Sequence, residues 1–425
     1  MRNRTGWLWA GAMSGMCLML AAFPLSAQTE SVIYNFLGGG GGDEPTHGFV
    51  AYKYSLFSTL LHGGSEGFGE VYRLTPPTSG TTWTKRTLFS FTGPEGNGTP
   101  SGTVIADQSG NLYGAAIDGF GCCGLIYELS PPAAGDTEWT ENTIYAFTGG
   151  LDGNGPYGSL SIDQYGDIYG VTHFGGGGSC LCGTVFRLHH NIAYGWLFEV
   201  LHTFTGGEGG STPNGDLLID NSNGYIFGTT PTGGANGLGE VYSLVPPTSG
   251  TEWTFNTIHD FAGTDENDGA SPNGGLAGGT NDLFGTTRSG GASAKCCGMI
   301  FELKVEIEGN PYTLINHHNF TGGPDGAIPY SGPFKDSSGN LWATTYEGGA
   351  TTTTGSGFGT IFELYPDRII VGDWHYLVSY RFKGGPDDGA YPIGRMDQGG
   401  NGLLYGNTIT GGQTSNSGVA FEFKP

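Results

Sequence analysis

Three sets of residues could do chemistry in this sequence, and each recurs at a fixed place along the chain. The first is a pair just before each recurring Gly-Gly, which is Gly-Phe in the second repeat: Leu61-His62, Ile117-Asp118, His173-Phe174, Pro231-Thr232, Arg288-Ser289, Tyr346-Glu347 and Ile409-Thr410. Everything around the pair repeats and the pair does not, which is how a ring of loops builds a pocket on a fixed scaffold. His62, Asp118, His173, Arg288, Tyr346 and Glu347 are the candidate ligand contacts. Asp118 and His173 lie in adjacent repeats and could form an acid–base pair. The plainer alternative is that these positions are exposed and unconstrained.

The second set is acidic. Loops after each aromatic segment carry Asp152 with Asn154, Asp265 with Asp268, Asp325, and Asp387. These are hard oxygen ligands of the type Ca²⁺ takes, so Ca²⁺ is the one cofactor the sequence suggests. Turn formation is the competing explanation, because Asp and Asn bond their own backbone and Gly accepts positive φ.

The third set is cysteine. Apart from Cys17, the cysteines form three pairs, Cys122-Cys123, Cys180-x-Cys182 and Cys296-Cys297, all in the same loop of their repeats. An even count in an exported chain predicts disulfides. The repeat order separates the third pair from the other two, so local pairing is expected. A thiolate metal site from the first two pairs is the alternative.

The elements that must position these residues follow from composition and periodicity. The chain has 425 residues, 82 of them Gly and 22 Pro, with 13% aromatic side chains. That much Gly disfavours long helices, and the aromatic content is too high for disorder. Sixteen basic residues against 39 acidic ones give a net charge of −23, which repels nucleic acid and anionic membranes. Residues 1–27 read as a signal peptide: Arg2 and Arg4, an apolar run to Pro24, and a small residue, Ala27, at the cleavage position. Residues 28–425 are then the mature domain, expected to be secreted, free of the membrane after cleavage, and monomeric.

That domain repeats. Phe36, Phe91, Phe147, Phe204, Phe261, Phe320 and Phe382 each end an aromatic strand before a Gly-rich turn, at spacings of 55 to 62 residues. Within a unit, three more short strands follow, for example Thr103–Ala106, Asn111–Ala116 and Gly124–Leu129, before the next aromatic strand. Seven units of four antiparallel strands predict an all-β, seven-bladed β-propeller. The last unit stops after its third strand, and a strand at about residues 31–36 is available to complete that blade and close the ring.

The ordered motifs Leu-Tyr-Gly, Gly-Gly, Val-Phe-Arg-Leu, Pro-Pro, Trp and Phe-Thr-Gly resemble the GloVer tandem repeat of secreted bacterial "choice-of-anchor" proteins, and more loosely kelch propellers. The resemblance implies a secreted or surface protein and supplies no catalytic residues. The expected function is a non-catalytic binding or scaffold propeller, presenting its acidic loop face to a carbohydrate, peptide or surface partner. A secreted hydrolase or lyase acting on a polysaccharide or small ester at that face is the alternative.

Overall fold

The computed structural model describes residues 28–38, 44–263, 267–291, 297–305, 311–350, 357–370, 372–413 and 416–425. The proposed signal peptide, Asp265 and Cys296 lie outside them.

The chain forms seven antiparallel blades arranged as a ring. The first blade holds β2 (Val50–Tyr52), β3 (Ser55–Leu60), β4 (Glu70–Thr75) and β5 (Thr84–Ser90). In the second, β8 (Leu112–Ile117), β9 (Leu125–Ser130) and β10 (Thr140–Ala146) stand outside an inner strand split into β6 (Thr99–Pro100) and β7 (Ile105–Ala106). The split is a departure from the single strand expected at 103–106. Pro100 has no N–H to give a ladder, so pairing stops there and resumes after a Gly.

The seventh blade, built on β31 (Leu404–Gly411) and β32 (Val419–Lys424), is completed by β1 (Thr29–Asn35), which pairs antiparallel to β32. The closing strand therefore starts and stops slightly earlier than expected. Phe36 leaves the ladder to pack in the core, at 1% exposure.

Alternating apolar residues fill seven cores, each shared by two neighbouring blades. One joins Val71 and Leu88 of the first blade to Leu112, Leu125 and Tyr127 of the second. The core that closes the ring joins Ile33, Phe36 and Ala420 of the last blade to Leu56, Tyr72 and Leu74 of the first. The other six repeat phenylalanines are buried in the same way. Each outermost strand carries a β-bulge opposite its neighbour, such as that between Val71 and Tyr72, which adds local twist.

A second seam lies near the loop face. The Gly that opens each third strand is held at positive φ, as in Gly124 (+91°) and Gly239 (+94°). A Cβ there would lie 2.5 Å from Pro156 Cδ and 2.7 Å from Pro272 Cδ of the next blade. The residue before that Pro is itself left-handed: Thr212, Ser271, Ile328 and Tyr391 have φ of 53° to 60°. Its N–H donates to the preceding blade, for example Thr212 to the Cys182 carbonyl at 2.9 Å and Tyr391 to the Phe358 carbonyl at 2.8 Å. Gly and Pro thus form one interlock repeated around the ring, with a strained left-handed residue before the Pro in most blades. No helix among the described residues is long and apolar enough to cross a membrane.

Candidate functional site

The loops entering the inner strands and those joining second to third strands share one end of the ring. The candidate ligand contacts sit there, but they are not one constellation. Arg288 lies over the Tyr330 ring, 4.5 Å from its centroid. Tyr330 meets Tyr346 edge-on at 5.1 Å, Tyr346 meets Tyr391 at 5.0 Å, and Tyr391 meets Phe358 at 5.8 Å. This is a continuous arc of rings across the sixth and seventh blades, extended into the fifth by the Arg288 guanidinium. Arg288 has no carboxylate partner among the described residues. Glu347, next to Tyr346 in the chain, holds the loop through its backbone, accepting from Ala327 N–H at 2.8 Å.

The remaining candidates lie elsewhere on the face. His173 packs against Tyr157 at 5.2 Å and Phe174 at 4.6 Å, and burial lowers its pKa. Asp118 is an exposed left-handed residue ahead of the short 3-10 turn Gly119–Gly121. No hydrogen bond or ion pair joins Asp118 to His173 among the described residues. His62 forms an exposed pair with Glu44 at 3.4 Å.

The acidic loop residues act on their own turns. Asp152 accepts from Thr148 N–H (2.7 Å), Thr148 Oγ1 (2.7 Å), Gly150 N–H (3.2 Å) and Tyr145 OH (3.1 Å), and these bonds lower its pKa against the opposing effect of burial. Asp268 accepts from Ala262 and Gly269 N–H and pairs with His259. Asp325 accepts from Thr321 N–H and Oγ1 and pairs with His318. In the seventh blade Asp388, not the exposed Asp387, takes this role, accepting from Lys383 and Gly389 N–H. Asn154 opens β11 (Asn154–Pro156). Three metal-type side chains do converge at the opposite end: one ligand atom each of Asp367, Asp373 and His375 lies within 4.8 Å of the others.

Cys122 bonds Cys123 and Cys180 bonds Cys182; Cys297 is also disulfide-bonded. The described pairs close locally, as expected.

The central cavity is the feature that sequence reasoning missed. About 610 Å³ lies on the ring axis, walled by one segment from every blade. Five of these segments read Pro-x-Gly, from Pro100-Ser101-Gly102 to Pro392-Ile393-Gly394. The glycines abut across blades: a Cβ on Gly48 would lie 2.1 Å from Arg395 O, on Gly102 2.1 Å from Gly158 O, and on Gly274 2.0 Å from Gly332 N. Only Gly permits that approach. Two segments carry one extra residue before the Gly, and those residues are His47 and Ser331.

Both line the cavity. His47 Nδ1 lies 3.1 Å from Thr59 Oγ1 and 3.2 Å from Thr46 Oγ1, and burial pushes its pKa down to about 4, so it is neutral at ordinary pH. Arg395 Nη1 lies 3.9 Å from Asp216 Oδ2. These two occupy the same position after the Gly in the seventh and fourth blades, so their contact spans the ring. The signal was legible: Pro-x-Gly recurs like the other motifs, and its variable x includes Tyr157 and Tyr330.

This fold and site define a seven-bladed β-propeller with a loop-face aromatic arc above an axial cavity. The sequence matches the Gloeobacter/Verrucomicrobia repeat over residues 19–220 and 176–421, and the chain belongs to that family. A comparison with curated proteins finds no match. Among solved structures, polysaccharide lyase Uly1 superposes with a TM-score of 0.50 at 12% identity, over 91% of each chain. A puromycin-hydrolysing peptidase of Mycobacterium tuberculosis superposes with a TM-score of 0.50 at 9% identity, over 85% of this chain. This chain spans about half the length of that peptidase, 48%. At these identities the likeness is one of fold.

Proposed function

We propose that this chain is an exported, non-catalytic binding propeller whose loop face takes a neutral carbohydrate. The observation that carries the proposal is the arc from Tyr330 through Tyr346 and Tyr391 to Phe358, with Arg288 over Tyr330. Solvent-facing aromatic rings offer apolar faces to the C–H side of a sugar ring, and their edges leave its hydroxyls open to polar groups. A guanidinium without a carboxylate partner can donate two parallel bonds to neighbouring hydroxyls. The net charge of −23 disfavours a polyanionic ligand. Export rests on residues 1–27 and on the disulfides, which persist in oxidising compartments.

Titration calorimetry against a panel of neutral oligosaccharides tests this. Binding by the wild type, weakened at least tenfold by Tyr346→Ala, is the expected result. Peptide binding without sugar binding overturns the carbohydrate assignment. A second reading, a hydrolase or lyase acting on a polysaccharide or small ester at the same face, is favoured by the neutral imidazole of His47 on the cavity wall. New reducing ends, unsaturated product or ester cleavage in the same incubations would select it.

A further inference from the structure

The Pro-x-Gly segments wall the cavity at equal length in five blades, and the two that depart from this length each add a polar side chain to the wall. His47 reaches Thr59 and Thr46 through Nδ1, and Nε2 has no partner among the described residues. Ser331 Oγ is buried without a partner, in a residue only 6% exposed. Thr344 Oγ1, on β26 (Leu341–Thr345) of the same blade, is likewise unpartnered. At the equivalent position Thr229 and Thr286 donate to the next blade's wall, at Gly274 O (3.2 Å) and Ser331 O (3.0 Å). Buried polar groups in native proteins are nearly always paired, and unpaired ones mark strain or a binding site.

The chain direction orders these groups along the axis. Each wall segment runs from the loop face inward, so His47 and Ser331, before the Gly, lie nearer the mouth than Arg395 and Asp216, after it. A ligand entering from the loop face passes Tyr330, which belongs to both the arc and the cavity wall. It then meets His47 and Ser331, and finally the Arg395–Asp216 pair spanning the ring. Walls on all seven sides admit an end of a chain but not its middle. The volume of about 610 Å³ is within the range of small-molecule sites.

We propose that the axial cavity is an end-recognition subsite: it takes the terminal residue of a saccharide whose following residues stack on the Tyr330–Tyr346–Tyr391 arc. His47 Nε2 and Ser331 Oγ bond the terminal hydroxyls, and Arg395 with Asp216 forms the polar floor. The proposal rests on the carbohydrate assignment above and adds polarity and an end to it.

The test uses the full mature chain and three neutral probes, cello-, manno- and maltohexaose, each linear and each blocked at both ends with a bulky group. At least one linear probe is expected to bind, with affinity reduced tenfold or more by blocking. His47→Gln should weaken the linear probe severalfold at unchanged thermal stability and leave any residual blocked-probe binding unchanged. Tyr346→Ala should weaken both forms. Equal affinity for linear and blocked probes overturns end recognition while the carbohydrate assignment stands. Absence of binding to all six removes both. If His47→Gln lowers stability, Ser331→Ala, which deletes one unpartnered hydroxyl, serves as the second variant under the same criterion.

Discussion

Two kinds of blade solve one packing problem differently. In the first four blades and the sixth, the residue before the third-strand Gly lies against the turn glycine that follows the repeat phenylalanine. In the first, fourth and sixth blades it is Phe68, Leu238 or Phe358; in the second, third and fifth it is Cys123, Cys182 or Cys297. A Cβ on Gly93 would lie 2.7 Å from the Phe68 ring, and one on Gly263 3.0 Å from Leu238 Cδ1. The same atom on Gly149 would lie 2.6 Å from Cys123 Sγ, and on Gly206 3.1 Å from Cys182 Sγ.

The disulfides therefore stand where an aromatic or Leu stands elsewhere. They are local plugs, not staples between distant parts of the chain. The difference also shapes the surface. Phe68 and Phe358 remain 40% and 39% exposed, whereas Cys123, Cys182 and Cys297 are 3%, 6% and 1% exposed. The apolar loop surface near the tyrosine arc is thus supplied by a blade of the first kind, and Phe358 is one of its rings.

The comparison can be broken at the feature both kinds share. Gly124→Ala, in a cysteine blade, and Gly239→Ala, in a leucine blade, both force a left-handed Ala against the next blade's Pro. Each should lower unfolding free energy by about 3 kcal/mol or more in denaturant titrations. A spared Gly124 variant would show that the disulfide loop relaxes the interlock. The plugs themselves come next: Leu238→Ala should cost about 2 kcal/mol, at the low end for a partly exposed Leu.

Two of the three blades of the first kind also bury an acidic side chain, where the sixth has Thr360. The residue after the Gly is Glu70 or Glu240 in the first and fourth blades but Leu125, Thr184 or Met299 in the cysteine blades. Glu70 is met by Lys85 and by Thr87 at 2.5 Å; Glu240 Oε2 has Thr257 at 3.2 Å and its Oε1 has no partner. Burial raises the Glu240 carboxyl to about 7, against the partial relief of Thr257. The folded state then holds a proton that the unfolded state releases above its ordinary carboxylate pKa. Stability is lost as pH rises from about 4.5 through 7. Glu240→Gln should fall about 1 kcal/mol below the wild type near pH 4, where the amide's unpaired donor is the only difference, and exceed it by about 2 kcal/mol at pH 8, where the linkage of about 3 kcal/mol outweighs that cost. A constant difference across pH would contradict the assignment.

The smallest effect is expected from the sulfurs. Replacing Cys180 and Cys182 together by Ala removes a loop so short that chain entropy contributes only about 1.5 kcal/mol. Thermal unfolding in both oxidised and reduced wild type should bracket the variant. A far larger loss would mean the disulfide constrains more than its own turn.

The architecture was legible because seven copies average out local ambiguity. Phe36 through Phe382 fall in equivalent cores, and the missing fourth strand at the C-terminus pointed to its replacement at the N-terminus. The acidic loops were ambiguous for a physical reason: a carboxylate that caps a turn and one that binds Ca²⁺ sit in the same Asp-Gly context, and only the N–H donors around Asp152 and Asp325 distinguish the capping use. The site was less legible. Arg288 and Tyr346 came from the variable pair, but Tyr330, Tyr391 and His47 lie on the entering segments. Their placement depends on left-handed pre-proline residues that propensity does not predict, because a residue before Pro ordinarily stays extended.

The most direct measurement is calorimetric titration of residues 28–425 with neutral hexasaccharides, wild type against Tyr346→Ala and Phe68→Ala. A saturable 1:1 interaction is expected, weakened at least tenfold by the Tyr346 change and unaffected by the Phe68 change, which lies in the first blade, outside the arc. Binding that tolerates Tyr346→Ala, or no binding by the wild type, would contradict it.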